Sequence, residues 1–402
     1  MGPSPDQIAL SRAFAEMTLS EASLEENLAR YCPGGYHPVR IGDVFANGRY
    51  TVVNKLGWGS YSTVWLATDW RTKRHVALKV LTADCYGHQQ DIFEVDILIA
   101  INSKSATAPG SQHVLGLLDR FEHAGPNGKH VCLVFKAMGP DMSRYRPTLP
   151  RYRIPVPLMK DITRQLLLAL AFLHDTCQVI HCDIKQQNIL IETAKINRMF
   201  ENAPPKSFIP PHHPLDPLND FYIKSSQIAS SQEDLSCVTE ISVRLAGFGT
   251  ASWFTRHLTE WIQPQRFRAP EVILGAIWDY KVDIWNLGLV IWELSEGSYI
   301  FDGSWPASVP YTSEIHLAQM EAFIGRMPQS LLSRSSNRDQ FFDRRLLIPR
   351  ILPDIPLETL CVNTEMSEAD RALFLDMIKS MLQLEPRDRP DARTLLESGW
   401  LK

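Results

Sequence analysis

The sequence predicts an α+β protein in which strand-forming segments come first and helix-forming segments follow. Residues 50–66 are rich in β-forming residues and are interrupted by a glycine-rich turn. Residues 157–175 carry apolar side chains at helical spacing, and residues 281–294 form a second, more strongly apolar helix. The chain has 402 residues, which is enough for two domains or for one large two-lobed unit.

Composition argues against several classes of protein. A net charge of −4 offers no basic surface for nucleic acid or for a membrane. The seven cysteines are scattered with no CxxC pair, which argues against a disulfide framework or a zinc site and suits a reducing compartment. No apolar run approaches the roughly 18 residues of a membrane span, and no secretory signal is evident. We therefore expect a soluble, intracellular protein.

Two stretches lack a core-forming pattern. Residues 1–30 are expected to be a mobile N-terminal extension. Residues from about 193 to 242 contain repeated prolines and a serine-rich run, so we interpret them as a mobile insertion. His212-His213 lies in this insertion, and we expect a solvated loop there instead of a metal site because no cysteine or second histidine pair is close in sequence.

The β-rich stretch contains a candidate phosphate-binding turn. Glycines between two strands allow backbone N–H groups to approach phosphate oxygens. The residues assigned to this turn and its flanks are Leu56, Gly57, Gly59, Ser60 and Val64. Because the turn joins two strands and does not open a helix, it argues against a dinucleotide site of the Rossmann type.

A lysine and a glutamate are predicted to pair near this turn. The strand that carries Ala77 also carries Lys79, which matches the position that contacts the α and β phosphates of a nucleotide. Glu94 lies on a helix predicted over residues 89–101 and is the candidate partner of Lys79. Asp96 is the rival, but its position on the helix directs it elsewhere.

The segment His181–Asn188 follows an HxDxKxxN pattern. Asp183 can accept a proton from an attacking hydroxyl, and Lys185 can neutralise charge on a transferring phosphoryl group. Asn188 can ligate a metal. The pattern is fairly specific, and the alternative is a polar loop in which the spacing is accidental.

In chain order, these motifs resemble the signatures of protein kinases. The glycine turn and the VALK strand are followed by the HxDxKxxN segment, Gly247-Phe248-Gly249, Ala269-Pro270-Glu271 and Asp283–Gly288. The resemblance covers residues 36–400. A narrower similarity to the SR-protein kinases rests on Tyr36–Asp43, Leu56-Gly57-Trp58-Gly59, Ser62–Trp65, Thr259-Glu260, Ile262-Gln263 and the long insertion.

The resemblance implies a bilobal protein-kinase fold that binds ATP between its lobes. A small lobe of antiparallel strands with one helix would span residues 36–138, after an extension of residues 1–35. A larger, mainly helical lobe would span residues 139–402. Met138 would lie in the segment that joins the lobes and offers backbone groups to the adenine, with Phe135 at the back of the pocket.

Family roles transfer to the matching positions. Asp183 would be the catalytic base, Lys185 would contact the γ-phosphate and suit transfer to Ser or Thr, and Asn188 would hold Mg²⁺. Lys79 and Glu94 would form the ion pair that positions the phosphates.

Four further positions have implied roles outside the chemistry. Glu271 and Arg389 would form a buried ion pair in the large lobe, and Asp283 would support the catalytic segment. Cys182 stands where an arginine would clamp a phosphate on the activation loop. The resemblance therefore implies a kinase that needs no activating phosphorylation, and the alternative is that Cys182 simply packs.

One position departs from the family pattern. The magnesium-binding aspartate of the xFG segment is Gly247 here, and residues 245–250 contain no acidic side chain. The loss of one preorganised electrostatic contact, worth ~3–4 kcal/mol, predicts a reaction slower by a factor on the order of 10²–10³. Asn188 and the phosphates would still hold a metal ion weakly. A Ser/Thr kinase with weakened or unusual metal use and a pseudokinase that binds nucleotide or acts as a scaffold both stay open. A small-molecule phosphotransferase is disfavoured, because the motifs at 269–271 and 283–288 build a lobe for peptide substrates.

The remaining expectations about partners come from the resemblance alone. It implies a protein substrate rich in arginine and serine, a monomeric state, and a cytoplasmic location with some nuclear presence. The net charge of −4 fits a basic substrate weakly.

Overall fold

A computed structural model describes most of the region that the motifs span. The described residues are 25–87, 91–105, 108–192, 215, 219–226, 241–304, 309–343, 346–347 and 352–402. The predictions made for residues 1–24, for His212-His213 and for most of the insertion therefore concern positions outside the described residues. Within the described part of the chain, no helix combines the length and the apolar character that a membrane crossing requires.

The small lobe is built on one antiparallel sheet. Its strands are β1 (Val44–Phe45), β2 (Tyr50–Gly59), β3 (Ser62–Asp69), β4 (Arg74–Leu81), β5 (Leu117–Gly125) and β6 (Gly128–Lys136). They lie in the order β1-β2-β3-β4-β6-β5. Valine, threonine and aromatic residues are frequent in these strands and favour extended backbone. Helix α1 (Glu94–Lys104) connects β4 to β5 and buries Val95, Ile97, Leu98 and Ile101 in a core shared with both lobes, whereas Ile99 is exposed.

The large lobe is mainly helical. Its elements are α2 (Met142–Tyr145), α3 (Val156–Ala171), β7 (Val179–Ile180), β8 (Ile189–Glu192), β9 (Ser242–Leu245), β10 (Ser252–Trp253), α4 (Pro270–Ile273), α5 (Lys281–Glu296), α6 (Ser313–Phe323), α7 (Gln329–Ser333), α8 (Arg338–Phe341), β11 (Phe342–Asp343), β12 (Leu346–Leu347), α9 (Glu368–Met381) and α10 (Ala392–Leu396). Every residue of α5 after its first is buried, including the charged Asp283, Glu293 and Glu296.

The predicted bilobal α+β architecture is confirmed, and element boundaries differ from the sequence prediction in a few places. The helix predicted over residues 89–101 begins at Glu94 and continues to Lys104. Helix α3 ends at Ala171, after which residues up to Cys177 form a wider π-helical turn. Strand β5 begins at Leu117 and extends to Gly125, because it pairs with β6 along its length.

The N-terminal segment and part of the insertion pack together on β2. We call residues 219–226 the anchor segment. Its Ile223 is 1% exposed and belongs to an apolar core of the small lobe that also contains Val52 and Val80. The backbone N–H of Ser226 donates to the Lys55 carbonyl oxygen at 2.9 Å. The insertion therefore leaves the large lobe and contributes a side chain to the core of the small lobe, which the sequence analysis did not predict.

Candidate active site

A cavity of about 1110 Å³ lies between the two lobes, and we call it the cleft. Its wall contains every predicted nucleotide-binding residue, namely Leu56, Gly57, Gly59, Ser60, Val64, Ala77, Lys79, Glu94 and Met138. It also contains Asp183, Lys185 and Asn188, the residues predicted to act in catalysis. The structure thus brings two groups of residues, more than 40 positions apart in the chain, to one site.

The glycine turn forms the roof of the cleft. Strands β2 and β3 pair up to Gly59 and Ser62, so the turn is tight. A methyl group added at Gly57 would meet no atom within 4 Å, which shows that this glycine faces open space. Val64 lies opposite Lys79 in the β3–β4 ladder, and both side chains face the cleft. An apolar surface and a cation therefore lie side by side beneath the turn.

Lys79 and Glu94 form the predicted ion pair. The Lys79 Nζ atom lies 2.5 Å from Glu94 Oε1. The lysine side chain is 15% exposed and the glutamate side chain 2% exposed. Asp96, the rival partner, is exposed and faces away. Since this pair must be in place for a kinase to position phosphates, the small lobe has the arrangement that phosphoryl transfer requires.

Three polar side chains meet at the floor of the cleft. Lys185 Nζ lies 2.8 Å from Asp183 Oδ2. The Asn188 Nδ2 group donates to the Asp183 carbonyl oxygen at 2.7 Å and to Asp183 Oδ2 at 2.9 Å. The Asp183 carboxylate is thus oriented by a cation and an amide, which leaves it a defined position from which to accept a proton.

The backbone of the catalytic segment is held from below. The Asp283 carboxylate accepts the backbone N–H groups of His181 and Cys182 at 2.7 and 2.9 Å. His181 Nε2 lies 2.9 Å from the Ala246 carbonyl oxygen, and His181 Nδ1 accepts the Asp183 N–H at 3.2 Å. Burial lowers the pKa of His181, so the neutral ring bridges the two segments.

Cys182 and the pair Glu271–Arg389 are parts of the core. Cys182 is buried with a backbone φ of +65°, and burial raises the pKa of its thiol well above the usual range. Its neutral side chain therefore packs and does not reach the surface. Arg389 donates to both Glu271 oxygens at 2.6 and 2.8 Å, with both side chains fully buried.

Gly247 leaves the cleft short of a metal ligand. The residue has a φ of +85° and lies at the start of a turn formed by Phe248–Thr250. A Cβ atom placed on it would lie 2.4 Å from Asn188 Oδ1. In the described residues no group of three or more His, Cys, Asp or Glu side chains has an arrangement suited to a metal ion. Of the carboxylate and the amide that hold magnesium in a kinase cleft, only the Asn188 amide is present here, so these residues do not fit a magnesium site of the usual two-ligand composition.

Sequence reasoning missed several residues of the cleft wall. Leu115 and Leu190 contribute apolar surface, and Arg144 contributes a cation at the exposed edge. Thr250 Oγ1 is buried without a hydrogen-bond partner and faces the same cavity. Arg144 could have been found by its place a few residues beyond the segment that joins the lobes. The leucines carry no signal that separates them from core residues.

Comparisons with known proteins agree with this geometry. A model of the protein kinase domain matches residues 50–203 and 221–401. A serine/threonine-protein kinase SRPK of Physarum polycephalum is 33% identical, over 94% of this chain and 92% of its own length. The chain belongs to the SR-protein kinase family. Protein kinase dsk1 of Schizosaccharomyces pombe is 31% identical over 94% of this chain and 85% of its own length. SRSF protein kinase 3 of Homo sapiens is 26% identical over 95% and 91%.

The match to the kinase-domain model is interrupted within the insertion. The two matched blocks of the kinase-domain model stop at residue 203 and resume at residue 221. The second block therefore starts within the anchor segment, at the residue before Tyr222. In this SR-protein kinase, the sequence between the blocks lies entirely within the predicted insertion.

Proposed function

We propose that this protein is a serine/threonine protein kinase that transfers the γ-phosphoryl group of ATP to a protein substrate. The observation that carries the proposal is the convergence of Lys79, Asp183 and Lys185 on one cleft. Each of these side chains is held by an oppositely charged partner within 2.8 Å, so the charges are preorganised. Family membership supports the same reaction.

The reaction would use the side chains of the cleft in a single displacement. The substrate hydroxyl oxygen forms a bond to the γ-phosphorus while the bond from that phosphorus to the β–γ bridging oxygen breaks. The hydroxyl proton passes to the Asp183 carboxylate, and ADP leaves with the bonding electron pair. Lys185 neutralises charge on the transferred group, and Lys79 holds the remaining phosphates.

Weak metal binding is part of the proposal. Gly247 supplies no carboxylate, and Asn188 is the one predicted ligand that keeps a side-chain oxygen. No step above depends on a bound ion. The expected result is a kinase that is slower than relatives with an aspartate at this position, on the order of 10²–10³-fold.

A pseudokinase is the second candidate, and Gly247 is the observation that favours it. In that case the cleft would bind nucleotide and the protein would act by binding a partner. The oriented Asp183 carboxylate favours the kinase, because a protein that only binds nucleotide needs no proton acceptor.

Transfer of label from γ-labelled ATP to an arginine/serine-rich peptide tests the proposal. The wild type, Asp183→Asn and Gly247→Asp are compared with magnesium, manganese or EDTA. Transfer by the wild type that falls by 10²–10⁴ in Asp183→Asn supports a kinase. Transfer only by Gly247→Asp supports the pseudokinase, and absence of transfer in all three with this peptide and a neutral serine peptide contradicts the kinase proposal.

The substrate class needs its own comparison. Five basic and four acidic side chains line the described wall of the cleft, so an arginine-rich peptide gains no net attraction there. We propose an arginine/serine-rich substrate on family grounds, together with a monomeric state and a cytoplasmic location with some nuclear presence. Peptides in which every arginine is replaced by glutamine test the arginine/serine-rich substrate. We expect kcat/KM to be at least tenfold lower for these peptides.

A further inference from the structure

We propose that the cleft binds the nucleotide triphosphate as a free anion, with lysine ammonium groups taking the place of a divalent cation. The inference rests on the proposed function, because it concerns the nucleotide of the same site. It also assigns Asn188 a different task from the one implied by the family motif. In this chain Asn188 is a positioning residue for Asp183 and not a metal ligand.

The first observation is the set of donors near Gly247. The segment Leu245–Thr250 crosses the cleft wall and carries no carboxylate. Hard divalent cations such as Mg²⁺ are held by carboxylate oxygens and phosphates, with water completing the coordination. A single neutral amide oxygen, that of Asn188, is a weak substitute for a pair that includes a charged ligand. The protein therefore offers little to a cation beyond what the nucleotide itself offers.

The second observation is the position of the Asn188 amide. Both hydrogens of its Nδ2 group are directed to Asp183, at 2.7 Å from the carbonyl oxygen and 2.9 Å from Oδ2. Its Oδ1 atom lies 2.4 Å from the position of a Cβ on Gly247, and its Cγ atom lies 2.6 Å from it. Non-bonded carbon and oxygen atoms do not approach so closely. An aspartate at position 247 and this placement of Asn188 thus exclude each other.

The third observation is the balance of charge around the phosphates. Lys79 with Glu94 and Lys185 with Asp183 form two neutral pairs. One more carboxylate would make the group net negative and attract a cation, and Gly247 removes that attraction. The described wall of the whole cleft has five basic and four acidic side chains. A polyphosphate anion therefore meets a slightly positive surface without any bound metal.

One carboxylate oxygen in the cleft deserves comparison as a rival cation ligand. Glu94 Oε2 is buried and has no hydrogen-bond partner. However, the Lys79 ammonium lies 2.5 Å from the other oxygen of the same group. Both Glu94 Oε2 and Lys79 Nζ lie within 4 Å of the position of a Cβ on Gly249, at 3.6 and 3.9 Å. A divalent cation beside Oε2 would therefore be repelled by the ammonium group at short range.

Calorimetric titration of the purified full-length chain with ATP tests the proposal without any turnover. The dissociation constant is measured in excess magnesium, in excess manganese and in EDTA. We expect the affinity in EDTA to equal or exceed the affinity in either metal, because excess metal converts free ATP into its metal complex. Tightening by more than threefold in either metal would overturn the proposal, as would an absence of ATP binding in all three solutions.

Two variants restore a carboxylate in different ways. Asn188→Asp places it on the existing side chain, and Gly247→Asp places it at the family position. Each is expected to make ATP binding at least tenfold tighter in magnesium than in EDTA. The first variant leaves the backbone at position 247 unchanged, so it remains informative if the second does not fold. Metal-independent binding by a folded Asn188→Asp variant would contradict the charge argument.

Asn188→Ala separates positioning from metal binding. Its ATP affinity should stay within threefold of the wild type in every solution, whereas label transfer should fall at least tenfold. The loss should fall on kcat and leave the KM for ATP within threefold, because the Asp183 carboxylate loses an amide donor that positions it. A weaker ATP affinity only in magnesium would instead show that Asn188 is a metal ligand. If transfer is absent but ATP binds without metal, the proposed kinase activity fails and this inference stands.

Discussion

Two lysines of the small lobe have similar partners and different surroundings. Lys55 on β2 is fully buried, and its Nζ atom lies 2.6 Å from Glu26 Oε2 and 3.0 Å from Glu25 Oε2. It also donates to the Ile223 carbonyl oxygen at 3.0 Å. Lys79 on β4 is partly exposed to the cleft and contacts one oxygen of Glu94. Both are lysines paired with buried glutamates, but only one of them faces a cavity.

The difference lies in how many donors each ammonium group keeps. An ammonium has three N–H donors. Those of Lys55 are directed to two carboxylates and a carbonyl oxygen, so it has none left for a ligand. Lys79 uses one donor on Glu94, and its remaining donors face a cavity large enough for a nucleotide. A buried lysine is thus structural when its partners in the protein accept all three of its N–H donors. It can bind a ligand when one or more of these donors are left over.

The largest effect is expected from replacing the two lysines in parallel. Lys55→Met leaves two carboxylates buried without a counterion, which should lower the free energy of unfolding by about 3–5 kcal/mol. Lys79→Met leaves one carboxylate beside an open cleft and should cost less, about 1–3 kcal/mol. Chemical denaturation without nucleotide gives both values.

The effects of the two substitutions on ATP binding and label transfer should have the opposite order to their effects on stability. Lys79→Met should lose ATP binding and label transfer, whereas folded Lys55→Met should keep an ATP affinity close to that of the wild type. Equal loss of ATP binding in both variants would contradict the claim that only Lys79 has N–H donors left for a ligand.

The anchor segment provides the next test of the Lys55 region. Ile223→Ala removes a side chain that is 1% exposed from the small-lobe core and should cost about 2–4 kcal/mol. Leu215→Ala is the matched control, because Leu215 lies in the same insertion and is largely exposed. Its unfolding free energy should stay within about 0.5 kcal/mol of the wild type. Equal values for the two variants would mean that the anchor segment does not hold the small lobe.

A smaller effect is expected on the Lys79 side, from the backbone at position 247. Gly247→Ala and Gly48→Ala both place a side chain at a left-handed backbone position, with φ of +85° and +94°. The shared backbone strain should cost about 1 kcal/mol. Only Gly247→Ala also displaces the Asn188 amide, since a Cβ on Gly48 meets nothing within 4 Å. Denaturation should show the larger loss for Gly247→Ala, and only that variant should have slower label transfer.

The smallest effect concerns pH and the outer face of the small lobe. Burial, reinforced by His130 and His123, lowers the pKa of His37 to about 3. Between pH 6.5 and about 3 the unfolded chain binds a proton that the folded chain does not, so stability must fall as pH falls. From pH 6.5 to 5.5 the loss due to His37 should be about 1 kcal/mol. His37→Gln should reduce the slope of unfolding free energy against pH, and an unchanged slope would contradict the assignment.

The cleft could be predicted from the sequence because its residues occur in short motifs of fixed spacing. Asp183, Lys185 and Asn188 lie within six positions, and their residue types alone indicate their chemistry. Lys79 and Glu94 lie on a strand and a helix whose periodic patterns are clear. The consequence of Gly247 for the Asn188 amide was not predictable, since it depends on a contact between two segments that are distant in sequence.

The packing around Lys55 could not be predicted for a related reason. It joins residues 25–26, β2 and the anchor segment, and such non-local polar contacts leave no periodic signal. One local cue was available. Phe221-Tyr222-Ile223 is an apolar triplet within a proline-rich insertion, and such a triplet favours burial. The extension and the insertion are about 200 positions apart in the chain, so no local pattern predicts their mutual contact.

The pairing of β8 with β9 has a consequence for how the chain accommodates added sequence. Glu192 pairs with Ser242, so both ends of the insertion are fixed at one ladder, and the anchor segment adds a third fixed point. One long excursion becomes two shorter closed loops. The entropy of closing a loop rises only logarithmically, by about 0.6 kcal/mol for each doubling of length. Residues can thus be gained or lost on either side of the anchor segment at little cost in free energy. The insertion can therefore vary in length while the anchor segment keeps its contacts with the small lobe.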